Sequence, residues 1–398
     1  MLTNTKDQST ITLTPTISSL ITPPSISWVE LSRSALEHNL KFYKNLIGSD
    51  NFLAAVVKSN AYGHGLLEVS RLCQESAYVD WFCTAHLSDA IIMRNYGITK
   101  PILVLTYIDL DPALAALHSI DLIVFDHATL TMLSSIGTTL NKNFSVHLKI
   151  DTGMSRLGVL PHEALEFVQY ALQLPHITVS GICTHFSESA GADLSFTQQQ
   201  INHFDAVLRE LKQNNLSIPI RHAAKSASVT NIETPNCNLV RLGAGMYGLW
   251  PSDFTKTMAQ KIDPSFALQP VMTWKTKVMA LKKIPASSFV GYDRTYQVTT
   301  DSTIAILPMG YYEGYDRRLT NKGIVRINNQ NAPVVGRVCM NLTMVDVTNL
   351  PVSVGDEVIM LGNYEQVTAQ DLAEKTGSLN PREMTTKINP GLARVIVG

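Results

Sequence analysis

The segment Phe52-Leu-Ala-Ala-Val-Val-Lys58 is a short apolar run that ends on a charged amine and opens into Ser59-Asn-Ala-Tyr-Gly-His-Gly65. The pattern returns along the chain. Val146-His-Leu-Lys-Ile150 runs into Asp151-Thr-Gly153, Ile177-Thr-Val-Ser-Gly-Ile182 into Thr184-His-Phe186, and Leu239-Val-Arg-Leu242 into Gly243-Ala-Gly245. Ile102-Leu-Val-Leu105 and Leu122-Ile-Val-Phe125 are two further apolar runs. Helical patterns lie between them. Ser34-Ala-Leu-Glu37 has the form of a capping box and precedes Leu36, Leu40, Tyr43 and Ile47 on one face. Pro161 suits a helix start, with Leu165, Val168 and Leu172 following, and Ile201, Phe204, Leu208 and Leu211 form another stripe. Apolar strands alternating with amphipathic helices indicate parallel β/α architecture, and polar residues at strand exits mark the active face of a (β/α)8 barrel. A doubly wound sheet stays open as the alternative, because the pattern alone does not count eight strands.

After Pro264 the texture changes to short β-like runs, among them Met272–Met279, Val334-Val335, Val345-Asp-Val347 and Val358-Ile-Met360, with one short helix expected at 368–375. The reading is therefore an α/β chain in three parts: a flexible polar extension over 1–25, a (β/α)8 barrel over 26–262, and a mostly β C-terminal domain over 263–398.

With 45% hydrophobic residues and 16% charged, the 398-residue chain can bury a sizeable core, which excludes wholesale disorder. A net charge of −1, with no Lys/Arg run longer than two, excludes a large basic footprint for nucleic acid or anionic membrane. No apolar stretch approaches the ~20 residues of a membrane span. The five cysteines are scattered without a CxxC pair, which argues against a disulfide framework and against a metal site. A cytoplasmic, reducing setting is expected.

Taken alone, Lys58 reads either as a lysine snorkelling at a barrel rim or as a desolvated amine able to form a Schiff base with an aldehyde cofactor. The surrounding motifs favour the second. Residues 54–65, from Ala54 through Lys58 and Tyr62 to Gly65, resemble the pyridoxal-phosphate motif of alanine racemases. So, in the same order, do 149–158, Thr184-His-Phe186, Arg241-Leu-Gly243 with Met246-Tyr-Gly248, Gly291-Tyr292, and Gly336-Arg-Val-Cys-Met340. The similarity spans about residues 26–398.

The resemblance implies a pyridoxal 5'-phosphate enzyme built as a (β/α)8 barrel plus β domain. It implies a homodimer with shared active sites, racemising L-alanine to D-alanine for peptidoglycan. Lys58 would hold the cofactor and act as one base, with Tyr292 of the partner subunit as the opposite base. Two bases on opposite faces let a proton leave one side of the substrate carbon and return on the other. Arg241 and His185 would tune that tyrosine, and Arg241 would also donate to the pyridine nitrogen. Arg156 would contact the cofactor's phenolic oxygen and the substrate carboxylate, Lys149 would be a modified (carbamylated) lysine orienting Arg156, and the partner's backbone at Met340 would help hold the carboxylate. Tyr62, Ser226, Gly243 and Ala244 would form the phosphate site. No metal is implied.

The chain departs from the usual family pattern at Ser59, Gly291, Asp293, Asn341 and Arg382, the last standing where a phosphate-contacting tyrosine is common. These departures leave room for a serine-preferring racemase. A decarboxylase fits less well with Arg241, and a non-enzymatic cofactor carrier does not explain the β domain or Tyr292.

Overall fold

A computed structural model describes residues 26–398, so the expectation for residues 1–25 lies outside the described residues. The first strand, β1 (Ser27–Ser32), alternates buried and half-buried positions, with Val29 and Leu31 facing inward. Eight strands then form one parallel sheet: β2 (Phe52–Val56), β3 (Trp81–His86), β4 (Ile102–Tyr107), β5 (Asp121–Val124), β6 (Phe144–Lys149), β7 (Ile177–Cys183), β8 (Ile220–His222) and β9 (Leu239–Leu242). Neighbours follow chain order, and β9 returns to pair with β2. The last seam, between β8 and β9, is joined by Asn238 N–H donating to Arg221 O at 2.9 Å and Arg241 N–H to Ala224 O at 3.1 Å. The result is a nearly closed (β/α)8 barrel. The doubly wound alternative is thereby excluded.

Barrel strands are buried on both faces, and their sequences show it as continuous apolar runs. Inward positions carry Ala54, Val56, Cys83, Leu103, Ile123, Cys183 and Leu239, which pack as one cluster. Outward positions pack against the surrounding helices in the main core.

The second domain holds two sheets. A six-stranded sheet has the order β14 (Gln330–Pro333), β13 (Ile324–Ile327), β16 (Glu357–Leu361), β10 (Met272–Lys277), β1 and β17 (Ala393–Val397). A three-stranded sheet orders β11 (Ala280–Ile284), β12 (Ser302–Leu307) and β15 (Thr343–Asp346). Here the expected barrel start at residue 26 needs correcting. Strand β1 pairs antiparallel with β10 and parallel with β17, so residues 27–32 belong to the second sheet. The physical reason is its period-two burial, which suits a half-buried strand and not a barrel strand.

Three local expectations also shift. The first helix spans Arg33–Ile47 and is capped by Ser32, whose Oγ accepts from Ala35 N–H at 3.1 Å, while Glu37 accepts instead from Ser76 Oγ. After a 3₁₀ turn at Pro161–Glu163, helix Ala164–Gln173 buries Phe167, Val168 and Ala171 and leaves Leu172 exposed. The late helix runs over Ala369–Thr376 with Thr368 as its cap.

Asn39, buried on the first helix, fastens the exit from the barrel. Its side-chain amide donates to Met246 O at 3.2 Å and Gln269 O at 2.8 Å, and its oxygen accepts from Gln269 N–H at 2.9 Å. Asn39→Ala strands two carbonyls and one N–H, a loss of roughly 3–4.5 kcal/mol at about 1–1.5 for each of the three bonds. A clear fall in thermal midpoint is expected by scanning calorimetry, and an unchanged midpoint would refute that role.

Candidate active site

The C-terminal ends of the barrel strands open onto a cavity of about 480 Å³ lined by Lys58, Tyr62, His185, Lys225, Ser226, Arg241, Gly243, Ala244 and Arg382, among others. The backbone that delivers Lys58 has an unusual hand. Ser59, Asn60, Ala61 and Tyr62 have φ of 55, 53, 51 and 56°, so four consecutive L-residues form a left-handed turn. Such a conformation costs ~1–2 kcal/mol per residue. Local bonds hold it: Ala61 N–H donates to Val57 O (2.8 Å), Gly65 N–H to Asn60 O (2.9 Å) and Leu66 N–H to Asn60 Oδ1 (2.8 Å). From the far end of the chain, an Arg394 Nη donates to Gly63 O at 3.1 Å. Beneath the turn, buried His64 packs against Tyr247, its ring held neutral because burial lowers its pKa to about 4.

The turn places Lys58 and Tyr62 in the same cavity. Burial, reinforced by Arg156, Arg241 and Arg382, lowers the pKa of the Lys58 amine, which raises its uncharged, nucleophilic fraction. Burial raises that of the Tyr62 hydroxyl. Tyr62 and Gly243 are in close approach: a Cβ on residue 243 would stand 2.6 Å from Tyr62 Oη. Ser226 Oγ accepts from Gly243 N–H at 3.0 Å and Gly245 N–H at 3.3 Å. Ser189, also lining the cavity, is buried with no hydrogen-bond partner for its hydroxyl among the described residues.

Arg241, buried on β9, donates through Nη2 to Thr184 O (2.9 Å) and Ala223 O (3.1 Å) and meets His185 Nδ1 at 3.1 Å; its Nη1 meets His222 Nδ1. Burial first, and the Arg241 charge second, hold His185 well below the ordinary histidine pKa, so it is a neutral acceptor. Lys149, inward on β6 and buried, also has a lowered pKa, from burial and then from Arg241 and Arg156, with Cys183 opposing. Arg156 lies at the exposed rim, on a loop whose N–H groups at Gly153, Met154, Ser155 and Arg156 all donate to the Asp151 carboxylate.

The structure thus brings Lys58, Tyr62, His185, Ser226, Arg241, Gly243 and Ala244 around one space. It keeps Lys149 and Arg156 close enough to act on Lys58, His185 or each other electrostatically. Tyr292 and Met340 lie outside that space, on second-domain loops, 69% and 55% exposed. The loop of Tyr292 is shaped by left-handed Gly291, Asp293 and Arg294 and by an ion pair of Asp293 with Arg337 at 2.7 Å. Asn341 Nδ2 donates to Glu313 at 2.7 Å, where an aspartate would face like charge.

Sequence reasoning missed Lys225. Burial, with Arg241, Arg382 and Arg156 adding to it, lowers its pKa to about 8, and its Nζ donates to Phe186 O at 3.0 Å. The signal was present, since His222-Ala-Ala-Lys225-Ser226 repeats the strand-exit lysine of Val56-Val-Lys58-Ser59. Arg382, flagged as a departure, reaches the cavity from the second domain, with its Nε on Asn380 Oδ1 at 2.6 Å. Glu188 is the only carboxylate among the lining side chains, against four cationic ones.

Comparison with known proteins agrees with this geometry. The family "Alanine racemase, N-terminal domain" matches residues 31–251 and "Alanine racemase, C-terminal domain" matches residues 271–396. Similar curated proteins include the alanine racemase of Methanococcus maripaludis, 36% identical over 89% of this chain and 94% of its own length. That of Halothermothrix orenii is also 36% identical, over 92% and 98%. Among solved structures, alanine racemase from Clostridium difficile 630 superposes with a TM-score of 0.87 at 31% identity, covering 94% of this chain and 97% of its own. The Bacillus anthracis alanine racemase with bound L-Ala-P gives 0.84 at 30% identity, covering 95% and 96%. With both family domains matched in order along one continuous barrel-plus-β chain, this protein is an enzyme of the alanine racemase family.

Proposed function

We propose that this enzyme interconverts L- and D-alanine with pyridoxal 5'-phosphate held on Lys58, working as a cytoplasmic homodimer that supplies D-alanine for peptidoglycan. The observation that carries the reading is a pKa-lowered amine facing a cation-rich end of one cavity. The residues present suit that cofactor. Lys58 offers an amine for the aldehyde, and Tyr62, Ser226, the Gly243–Ala244 backbone, Lys225, Arg382 and the unpartnered Ser189 hydroxyl offer donors for a dianionic phosphate. When bound, the cofactor supplies the ring that withdraws electrons from the substrate's Cα.

The chain's own residues do the rest. Arg241 can only donate, since a guanidinium stays protonated, so a ring nitrogen held against it would have to accept and remain unprotonated. That would limit electron withdrawal and disfavour side reactions. Lys58 would move a proton on one face of Cα. Tyr292 from the partner subunit would move it on the other, which accounts for a tyrosine left exposed outside its own barrel's cavity. Arg156 and the partner's backbone at Met340 would hold the substrate carboxylate. Lys149, a buried amine, is suited to carbamylation, which would turn a cation into an anion beside Arg156.

The decisive test is chiral chromatography of cofactor-loaded protein given L-alanine in heavy water. D-alanine bearing α-deuterium is expected; its absence, with serine turned over instead, would reassign the substrate. The shared site has its own test. Mixed Lys58→Ala and Tyr292→Phe subunits, each inactive alone, should recover about a quarter of wild-type activity, because half the dimers are hybrids with one intact site. No recovery on subunit exchange would place both bases in one chain. Finally, Lys225→Met should weaken cofactor binding about tenfold or more while leaving binding of phosphate-free pyridoxal unchanged, as read by fluorescence titration of the cofactor-free protein. Equal losses for both would remove Lys225 from the phosphate end.

A further inference from the structure

The barrel interior beneath Arg241 carries polar groups that the proposed reaction does not use. His147 on β6 and His222 on β8 are fully buried, at inward positions where barrels ordinarily place branched aliphatic side chains. His222 Nε2 and His147 Nδ1 are 2.8 Å apart. His147 Nε2 in turn lies 3.3 Å from Asp121 Oδ2, at the start of β5, a charge contact without hydrogen-bond geometry, so this nitrogen has no hydrogen-bond partner among the described residues. At the other end His222 Nδ1 meets Arg241 Nη1.

We propose that Asp121, His147 and His222 are positioning residues for Arg241, a directional chain across the barrel, hydrogen-bonded from His147 to Arg241 and ending on the Asp121 carboxylate, that aims the guanidinium at the cofactor ring. The proposal rests on the reading of the cofactor site above.

Donor and acceptor counting gives the chain its direction from the Arg241 end. A guanidinium only donates, so His222 Nδ1 is bare and receives an Arg241 N–H. His222 then carries its proton on Nε2 and gives it to a bare His147 Nδ1. The His147 proton is left on Nε2, turned toward the Asp121 carboxylate, which only accepts. Both rings are neutral Nε2–H tautomers, and any other assignment sets two donors or two acceptors face to face in a dry interior, where an unmade bond is expensive. Burial, and then the Arg241 charge, push His222 well below the ordinary histidine range, in keeping with a neutral ring.

The backbone makes room for this arrangement. Opposite His147, β7 carries Gly181 at a register shift, and a Cβ there would sit 2.3 Å from His147 Nδ1. With Nη1 taken by His222, and Nη2 by Thr184 O, Ala223 O and His185, Arg241 keeps its Nε–H without a partner among the described residues. Held by these bonds, the guanidinium has its Nε–H and the second Nη1–H left to present.

Asp121 has a competing neighbour. It lies near Arg94, whose guanidinium is already bonded to the carbonyls of His118, Ile98, Lys100 and Ser119. A purely structural Asp121 would act through that arginine.

The test begins on the unmutated, cofactor-free protein, labelled with ¹⁵N-histidine. Long-range proton–nitrogen correlation, assigned with His147→Gln and His222→Gln, should show both rings as neutral Nε2–H tautomers near neutral pH. A Nδ1–H tautomer or a doubly protonated ring at either position overturns the chain, and this readout stands whether or not the enzyme racemises alanine. Asp121→Asn should then disturb the His147 tautomer, shift the ring-nitrogen resonance of bound ¹⁵N-pyridoxal phosphate, and lower kcat roughly tenfold with little change in KM. Arg94→Met should leave the ring-nitrogen resonance in place. An Asp121→Asn protein with unmoved resonance and kcat, or an Arg94→Met protein that reproduces the shift, would refute the positioning role.

Discussion

A guanidinium can be buried in a barrel only where acceptors are built around it, and Arg241 has them from three directions: two strand-end carbonyls, Thr184 and Ala223, and the rings of His185 and His222. Thr184 and His185 lie just past β7, and His222 and Ala223 at or just past the end of β8, so the guanidinium bonds tie β7, β8 and β9 together at the seam where the barrel closes. This is also the seam that forms one wall of the cavity. Closure of the fold and orientation of the site are therefore one set of hydrogen bonds, and a change that loosens either loosens both.

The same burial explains the electrostatics. Lys58, Lys225, Arg241 and Arg382 face one space that contains a single lining carboxylate, and the lysines respond by giving up protons more readily. Uncompensated cations in a partly dry cavity are costly to the fold and favourable to an anionic ligand. The left-handed turn after Lys58 is a second such cost. Its strain is sustained by bonds that include one from Arg394, near the end of the chain, so the second domain helps hold the turn that carries Lys58 in place.

How much of this could be read from sequence depended on how local the cause was. The strand-exit lysine, the glycine-rich turn at Gly243–Ala244 and the (β/α) alternation are local, and were legible. Strands β3 and β8 escaped because the first mixes polar residues into its run and the second is three residues long. Strand β1 was misplaced although Ser27-Trp-Val-Glu-Leu-Ser32 alternates, since chain order suggested the barrel and only pairing with β10 and β17 decides otherwise. Left-handed φ at Ser59, Asn60, Ala61 and Tyr62 has no glycine at those positions to announce it; bonds within residues 57–66, with one from Arg394, hold it. Lys225 carried a legible pattern that went unused.

The two halves of the proposed chemistry have opposite mechanical character, and that difference bears on why the enzyme would need a second copy. Arg241 is buried and bonded to groups at the ends of β7 and β8, and half-buried Lys58 lines the same cavity just past β2, so both would approach a substrate held there from the barrel's own side. Tyr292 sits on an exposed loop bent by three left-handed residues, outside the cavity of its own chain. A single rigid wall can add a proton from one side only. Under that proposal a second acid–base group would have to arrive on a separate support, and an exposed second-domain loop entering a neighbouring barrel would meet that requirement without loosening the buried network around Arg241.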